Sequence, residues 1–393
     1  MIKRIAFFLL LHIIPLFALG QIVAPGSDLR VSLITCYPGA AVYELYGHTA
    51  IRITGGGIDK VYNFGLFSFN KPNFIYRFVK GETDYALGGY PFEYFLPDYI
   101  ERNSKVVQQE LNLNNAQAWA LYSELEYLSR PENREYRYNY VLNNCATRPR
   151  DMIEKVSGGI VYPEATDTTA TFRSIMRSYS GNYPWYQFGI DLALGSGIDY
   201  RLDLRKQLFA PLRLKDAFAE ARLNDGRPLV TRTTVLFDGS ESPILPPTPW
   251  YLTPMFAACA MLVITAGVCV IEYRRKRTIR WFDSLWFLLT GLAGSLVFFL
   301  VFVSEHEATS PNYLAFWLNP FCLFPAVTIW IKSCRKWLFS YHFINFALVL
   351  FLAAFWWALP QSANAAFFPL MLCSLIRSAN YLTINRKCVK RNK

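Results

Sequence analysis

One cysteine, Cys145, stands where a loop meets a helix pattern, in Asn143-Asn144-Cys145-Ala146-Thr147-Arg148-Pro149-Arg150-Asp151. Asn144 is a good N-cap, and Met152, Ile153 and Val156 form one apolar face up to Gly158-Gly159. A sulfur beside unpaired helix N–H groups favours thiolate, the form that attacks acyl carbons. Pro149 works against a regular first turn, so helix is expected to begin a residue or two after the cysteine. A base is also required. Between residues 21 and 249 the chain holds a single histidine, His48, which makes it the one imidazole there for general base work. On a strand, His48, Ala50 and Arg52 share a face. Asn63 on the neighbouring strand is the expected orienter of the imidazole, with Asp59 the runner-up. Tyr46, Arg52 and Arg148 are the candidate substrate contacts, and Arg148 and Asp151 also have the spacing of a surface ion pair.

A second fate for this thiol stays open. Cys36 is the other cysteine of the front half, and an oxidising compartment would allow a Cys36–Cys145 disulfide. That pairing would leave His48 with nothing to activate, and would suit a non-catalytic assembly factor or binding scaffold. One histidine and no CxxC argue against a metal site, and no cofactor motif is present. Asp191 and Asp199 read as turn-formers rather than an acid/base pair.

The elements that must position these residues come next. Residues 31–35, 48–53 and 60–64 read as strands, the last two as a hairpin across Gly55-Gly56-Gly57. Further strands are expected at 106–111 and 230–237. Asn115 to Leu128, capped by Asn114, reads as a helix with a Trp119, Tyr122, Leu125, Leu128 stripe, and Pro211 to Ala221 as a shorter one. Residues 73–100 are aromatic-rich and broken by Pro91 and Pro97.

Met1 to Gly20 has the basic start, apolar stretch and small residues of a secretory signal peptide. A front domain over 21–241 and a proline-rich linker over 242–252 follow. Over 253–393, apolar runs near 253–271, 284–303, 313–331, 342–359 and 365–383 are each long enough to span a bilayer. Residues 250–393 carry 14 Lys or Arg against 4 Asp or Glu, and most of the basic residues lie in alternate loops, around 274–280, 332–336 and 386–393. The pattern predicts an inner-membrane protein with an exported front domain and a cytoplasmic C-terminus. The basic excess therefore reports topology and membrane lipids as partners, not nucleic acid. Charge inside the runs looks scarce, which counts against ion-coupled transport. His306, between Glu305 and Glu307, reads as part of a solvated interfacial loop.

The order His before Cys, with Asn144-Cys145 opening a helix and Gly47-His48-Thr49-Ala50 on a strand, resembles the circularly permuted papain-like thiol hydrolases of the NlpC/P60 and lecithin:retinol acyltransferase type. More specifically, Thr35-Cys36-Tyr37-Pro38-Gly39, Tyr46-Gly47-His48-Thr49-Ala50-Ile51-Arg52, Tyr62-Asn63-Phe64-Gly65 and Asn144-Cys145-Ala146-Thr147-Arg148 resemble the Lnb N-terminal periplasmic domain family of bacterial membrane proteins. Leu194-Gly195-Ser196 and Asn319-Pro320 extend that likeness. These resemblances imply an α+β, permuted papain-like periplasmic domain followed by a five-helix transmembrane bundle. The expected activity is hydrolysis or transfer of an acyl group from an amide or ester of the cell envelope: a peptidoglycan peptide, a lipoprotein or a lipid.

Overall fold

The computed structural model describes residues 27–67, 72–243 and 245–390. The expected signal peptide lies outside the described residues. An antiparallel sheet organises the front half. Its strands are β1 (Arg30–Cys36), β2 (His48–Gly55), β3 (Ile58–Leu66), β4 (Asp84–Pro91), β5 (Val106–Leu111), β6 (Glu135–Arg137) and β9 (Val230–Phe237), in the order β6-β4-β3-β2-β1-β5-β9. Two further strands, β7 (Ile160–Val161) and β8 (Arg222–Leu223), pair separately. The expected hairpin forms with Ile51 opposite Tyr62 and Ala50 opposite Asn63.

Both faces of the sheet are covered, so β1 is apolar on both sides and buried from Val31 to Cys36. One face carries Leu33, Ile51, Ile53, Tyr62 and Phe64. Against it pack the helices Asn115–Ser129, Thr147–Ser157 and Pro211–Glu220. The other face carries Ile34, Cys36, Ala50, Val61 and Val106 beneath Phe95 and Tyr99. Helices are numbered in chain order: α1 (Phe74–Lys80), α2 (Leu96–Glu101), α3 (Asn115–Ser129), α4 (Thr147–Ser157), α5 (Phe172–Tyr179), α6 (Pro184–Ala193), α7 (Leu204–Gln207) and α8 (Pro211–Glu220).

Asn114 caps α3 as its side chain predicts, exchanging hydrogen bonds with Gln117. The buried stripe is Ala118, Leu121 and Leu125, one position round from the expected one, because Trp119 and Tyr122 sit at the rim of the core.

The membrane half holds α9 (Pro254–Arg275), α10 (Arg280–Phe302), α11 (Leu323–Thr328), α12 (Arg335–Phe355) and α13 (Phe367–Lys390). Four stretches among the described residues are long and apolar enough to cross a membrane: 254–275, 280–302, 332–358 and 367–386. The third expected span is interrupted. Residues 313–331 form short helical turns, Tyr313–Phe316 and Pro320–Cys322, before α11. The break falls at Asn319-Pro320, where proline removes a backbone donor. The segment begins at Asn312, bonded to the Leu192 carbonyl of the front domain, and ends with Trp330 against Trp281 at the far end of α10.

Charge within the bundle is also less scarce than the runs suggest. Arg377 of α13 is fully buried between Glu272 of α9 (2.8 Å) and Asp283 of α10 (2.6 Å). Read one helix at a time, these residues look like membrane-edge charges; packed together they join three helices.

The two halves are fastened to each other. Arg173, completely buried, reaches Asp191 (2.9 Å), Asp199 (2.8 Å) and the Gly195 carbonyl (2.7 Å). Asp191 then accepts from Asn364, and Asp199 from the Ser362 N–H. These two aspartates are therefore buried ion partners and not simple turn-formers. The Leu194-Gly195-Ser196 motif lies at the same seam. Gly195 N–H donates to Ala308 O and Ser196 N–H to Pro311 O, and a Cβ on Gly195 would meet the Pro311 oxygen at 2.2 Å. His306 is part of the fastening too, its Nε2 donating to the Phe78 carbonyl at 2.9 Å. It is docked on the front domain rather than merely solvated.

Candidate active site

Cys145 sits just ahead of α4. Regular helix starts at Thr147, as Pro149 requires. Asn144 anchors the entrance: its Oδ1 accepts from Ala146 N–H (2.8 Å) and Thr147 N–H (2.9 Å), and its Nδ2 donates to Tyr140 O and Phe209 O. Thr147 Oγ1 returns a bond to Asn144 N–H. The loop is thus held from both sides of the cysteine.

The sulfur lies where the sheet opens. Pairing of β2 with β3 stops at Ala50–Asn63, and β3 slips register between Asn63 and Leu66. Gly65 makes that kink with φ +94°, a conformation side chains resist, and a Cβ there would lie 3.8 Å from the Cys145 Cβ. The departing strand leaves the edge of β2 accessible, and Cys145 fills the gap. The backbone N–H groups of Thr49 and of Cys145 itself favour the charged form of that sulfur.

His48 and Asn63 are joined directly: His48 Nε2–H donates to Asn63 Oδ1. Asn63 is buried and its amide donates to the Tyr90 hydroxyl at 3.0 Å, which fixes the direction of the carbonyl. With Nε2 so engaged, Nδ1 carries the free lone pair of the neutral ring. Among the described residues no hydrogen bond links the imidazole to Sγ.

The electrostatics differ from the sequence expectation. Burial pushes the Cys145 thiol up to about 11, and the two N–H groups on the sulfur offset only part of that. The helix entrance contributes little because Asn144 has already taken its N–H groups. Burial likewise pulls His48 down to about 4, helped by the Arg102 charge and opposed by Asn63. The resting pair at neutral pH is thiol and neutral imidazole, not thiolate and imidazolium.

The other predicted contacts divide. Arg148 is beside the cysteine, stacked on the Tyr136 ring at 3.9 Å with Nε on Asn143 Oδ1 (2.8 Å). Its expected partner Asp151 pairs with Arg150 and Arg205 instead. Arg52 is not available to a ligand. Its guanidinium is bidentate to Asp59 (2.7 Å both), bonded to Gln108 and stacked on Phe92. The same pairing removes Asp59 as an orienter of His48. Tyr46 belongs to a tyrosine cluster with Tyr140, Tyr179 and Tyr186. Cys36 stands opposite His48 in the β1–β2 register. It is a free thiol, as is Cys145, and burial raises its pKa while Tyr99 bonds it. The disulfide alternative is thus not what the structure contains.

Sequence reasoning missed the Thr49 N–H, the Tyr90 support behind Asn63, and the Tyr136 ring under Arg148. Gly65, present in the Tyr62-Asn63-Phe64-Gly65 motif, was the available signal for the opening in the sheet.

An α+β domain carrying this cysteine–histidine–asparagine grouping, seated on a helical membrane bundle, defines the class. Two family descriptions match the chain: the Lnb N-terminal periplasmic domain over residues 23–178 and the Lnb transmembrane domain over 247–388. The protein belongs to the Lnb family and is a membrane protein with a periplasmic N-terminal domain. No curated protein and no solved structure matches it.

Proposed function

We propose that the protein is a thiol acyl hydrolase or acyltransferase of the cell envelope, with Cys145 as nucleophile, His48 as base and then acid, and Asn63 as orienter. The observation that carries this reading is an imidazole fixed by Asn63, on the strand whose next residue, Thr49, turns its N–H toward the Cys145 thiol and favours its charged form. Attack by Sγ on an ester or amide carbonyl passes the thiol proton to His48 Nδ1. The leaving group then takes that proton, leaving a thioester that water or a second nucleophile resolves. In this reading the Thr49 and Cys145 N–H groups are the donors for the developing oxyanion. A permuted papain-like domain and a five-span bundle whose third span is interrupted, with the C-terminus cytoplasmic in an inner membrane, complete the reading. The substrate is an amide or ester held at the envelope, a peptide, lipoprotein or lipid.

The test is a thiol-directed acyl probe, such as an alkyl β-lactone, on the full chain in nanodiscs. The expected result is one adduct, mapped to Cys145 and lost in Cys145→Ser. Labelling should be 10²- to 10⁴-fold slower in His48→Ala, the usual scale for a general base. Equal labelling of wild type and His48→Ala, or an adduct elsewhere, removes the proposal.

A further inference from the structure

From β3 to β4 the chain exposes a run of large apolar side chains: Leu66, Phe67, Ile75, Tyr76 and Phe78. Ile75 is 78% exposed, among the highest values for any apolar residue of the front domain. An exposed patch of this kind on a folded domain ordinarily marks a surface that is covered in use. Its basic residues do not draw it toward an acidic partner, because Arg77 pairs with Asp84 and Lys80 with Glu82.

Its position says what covers it. The Tyr76 ring faces Phe299, one turn from the end of membrane helix α10, at 6.1 Å. The C-terminal end of α1 is clamped to the loop that leaves α10: Ser304 Oγ donates to Val79 O, Glu305 N–H to Lys80 O, and His306 Nε2 to Phe78 O. Arg137 adds an ion pair to Glu305 at 2.8 Å. Helix α1 therefore lies beside the point where α10 emerges, and its exposed face continues the lipid-facing surface of Phe298, Phe302 and Val303. Aromatic and aliphatic residues at that level are the composition of a membrane-interface belt.

We infer that α1, with Leu66 and Phe67 ahead of it, is an interfacial wedge whose partner is the lipid leaflet on the front domain's side of the membrane. The wedge is linked to the Cys145 neighbourhood by rings in sequence. Tyr138 packs on Tyr85 (4.1 Å), Tyr85 on Phe67 (5.0 Å), Phe67 on Phe74 (6.0 Å) and Phe74 on Phe78 (6.0 Å). Tyr138 itself borders Gly65 beside Cys145. The leaflet surface thus sets the height at which the thiol is held. This inference does not depend on the acyl-transfer reading.

The experiment places the photo-crosslinker benzoylphenylalanine at Ile75 in the full chain, reconstituted in phosphatidylethanolamine–phosphatidylglycerol nanodiscs. A control carries it at Tyr127, a 53% exposed site on α3. Both positions are exposed, so neither substitution removes a core contact, and size-exclusion elution checks that each chain is folded. Lipid adducts at 75, at least tenfold above those at 127, are the expected result. No lipid adduct at 75, or equal yields at the two positions, overturns the inference.

Discussion

The resting state of Cys145 yields a prediction that separates two kinds of thiol site. With a thiol near 11 rather than the ordinary 9.0, the thiolate fraction at pH 7 falls from roughly 10⁻² to roughly 10⁻⁴. A more basic thiolate is intrinsically more nucleophilic, with a Brønsted slope near 0.4–0.5, so about tenfold of that loss is recovered. Alkylation of folded protein by iodoacetamide should then be about tenfold slower at pH 7 than for an unhindered thiol. The pH profile is more telling than the rate. The log of the rate should climb with unit slope from pH 6 to 9.5 without levelling, followed by peptide mass spectrometry at Cys145. His48→Ala should leave this profile unchanged, because the resting imidazole does not hold the thiol proton. An acyl transfer through the same sulfur should instead fall steeply in that variant. A profile that levels below pH 8 would show a thiolate–imidazolium pair, and would refute the account of Asn144 consuming the helix N–H groups.

Further outcomes follow from the same structure. His48 has a folded pKa of about 4 against 6.5 for a free imidazole, so the unfolded chain takes up the proton first as pH falls. Its contribution is intact above pH 6.5 and is lost on the way down to pH 4, amounting to about 3 kcal/mol; urea unfolding in detergent should show this slope, and His48→Gln should abolish it. Arg377→Met leaves Glu272 and Asp283 buried without their cation and should cost about 3–5 kcal/mol in thermal unfolding. Neutralising all three, with Glu272→Gln and Asp283→Asn added, should recover most of that; no recovery would contradict the ion-cluster account. Asp191→Ala takes one of two carboxylates from the buried Arg173 and the acceptor from Asn364, loosening the seam, so limited proteolysis should cut the 304–312 loop faster than in wild type.

Much of this was legible from residue order alone, for physical reasons that can be named. The β2–β3 hairpin is visible because half-buried strands alternate and glycines close the turn. Helix α3 is visible because Asn114 caps a periodic apolar stripe, and α4 because its apolar face ends at Gly158. The pairing of His48 with Asn63 follows from strand register. What stayed hidden depends on contacts distant in sequence. Helix α1 was not foreseen, since Phe74 to Lys80 is held by the loop after α10 rather than by a periodic apolar stripe of its own. Strand β4 was obscured by aromatic density and prolines. Arg52 looked free because Asp59, its partner, is a neighbour across a hairpin and not along the strand. Asp191 and Asp199 resembled turn residues until Arg173 was placed between them. The thiol's direction of shift was misread for a similar reason: dipole logic counts helix N–H groups, while burial and the Asn144 side chain decide how many remain.

The central claim is that an acyl group passes through the Cys145 sulfur under control of His48. It is tested most directly by trapping the thioester. Full-length protein in nanodiscs is mixed with a p-nitrophenyl acyl ester and quenched in acid within the first turnover. The account predicts a nitrophenolate burst of one equivalent and a hydroxylamine-labile acyl mass on Cys145, both absent in Cys145→Ser and strongly slowed in His48→Ala. A burst-free trace with no acyl mass on Cys145, in protein that elutes as folded, would contradict it.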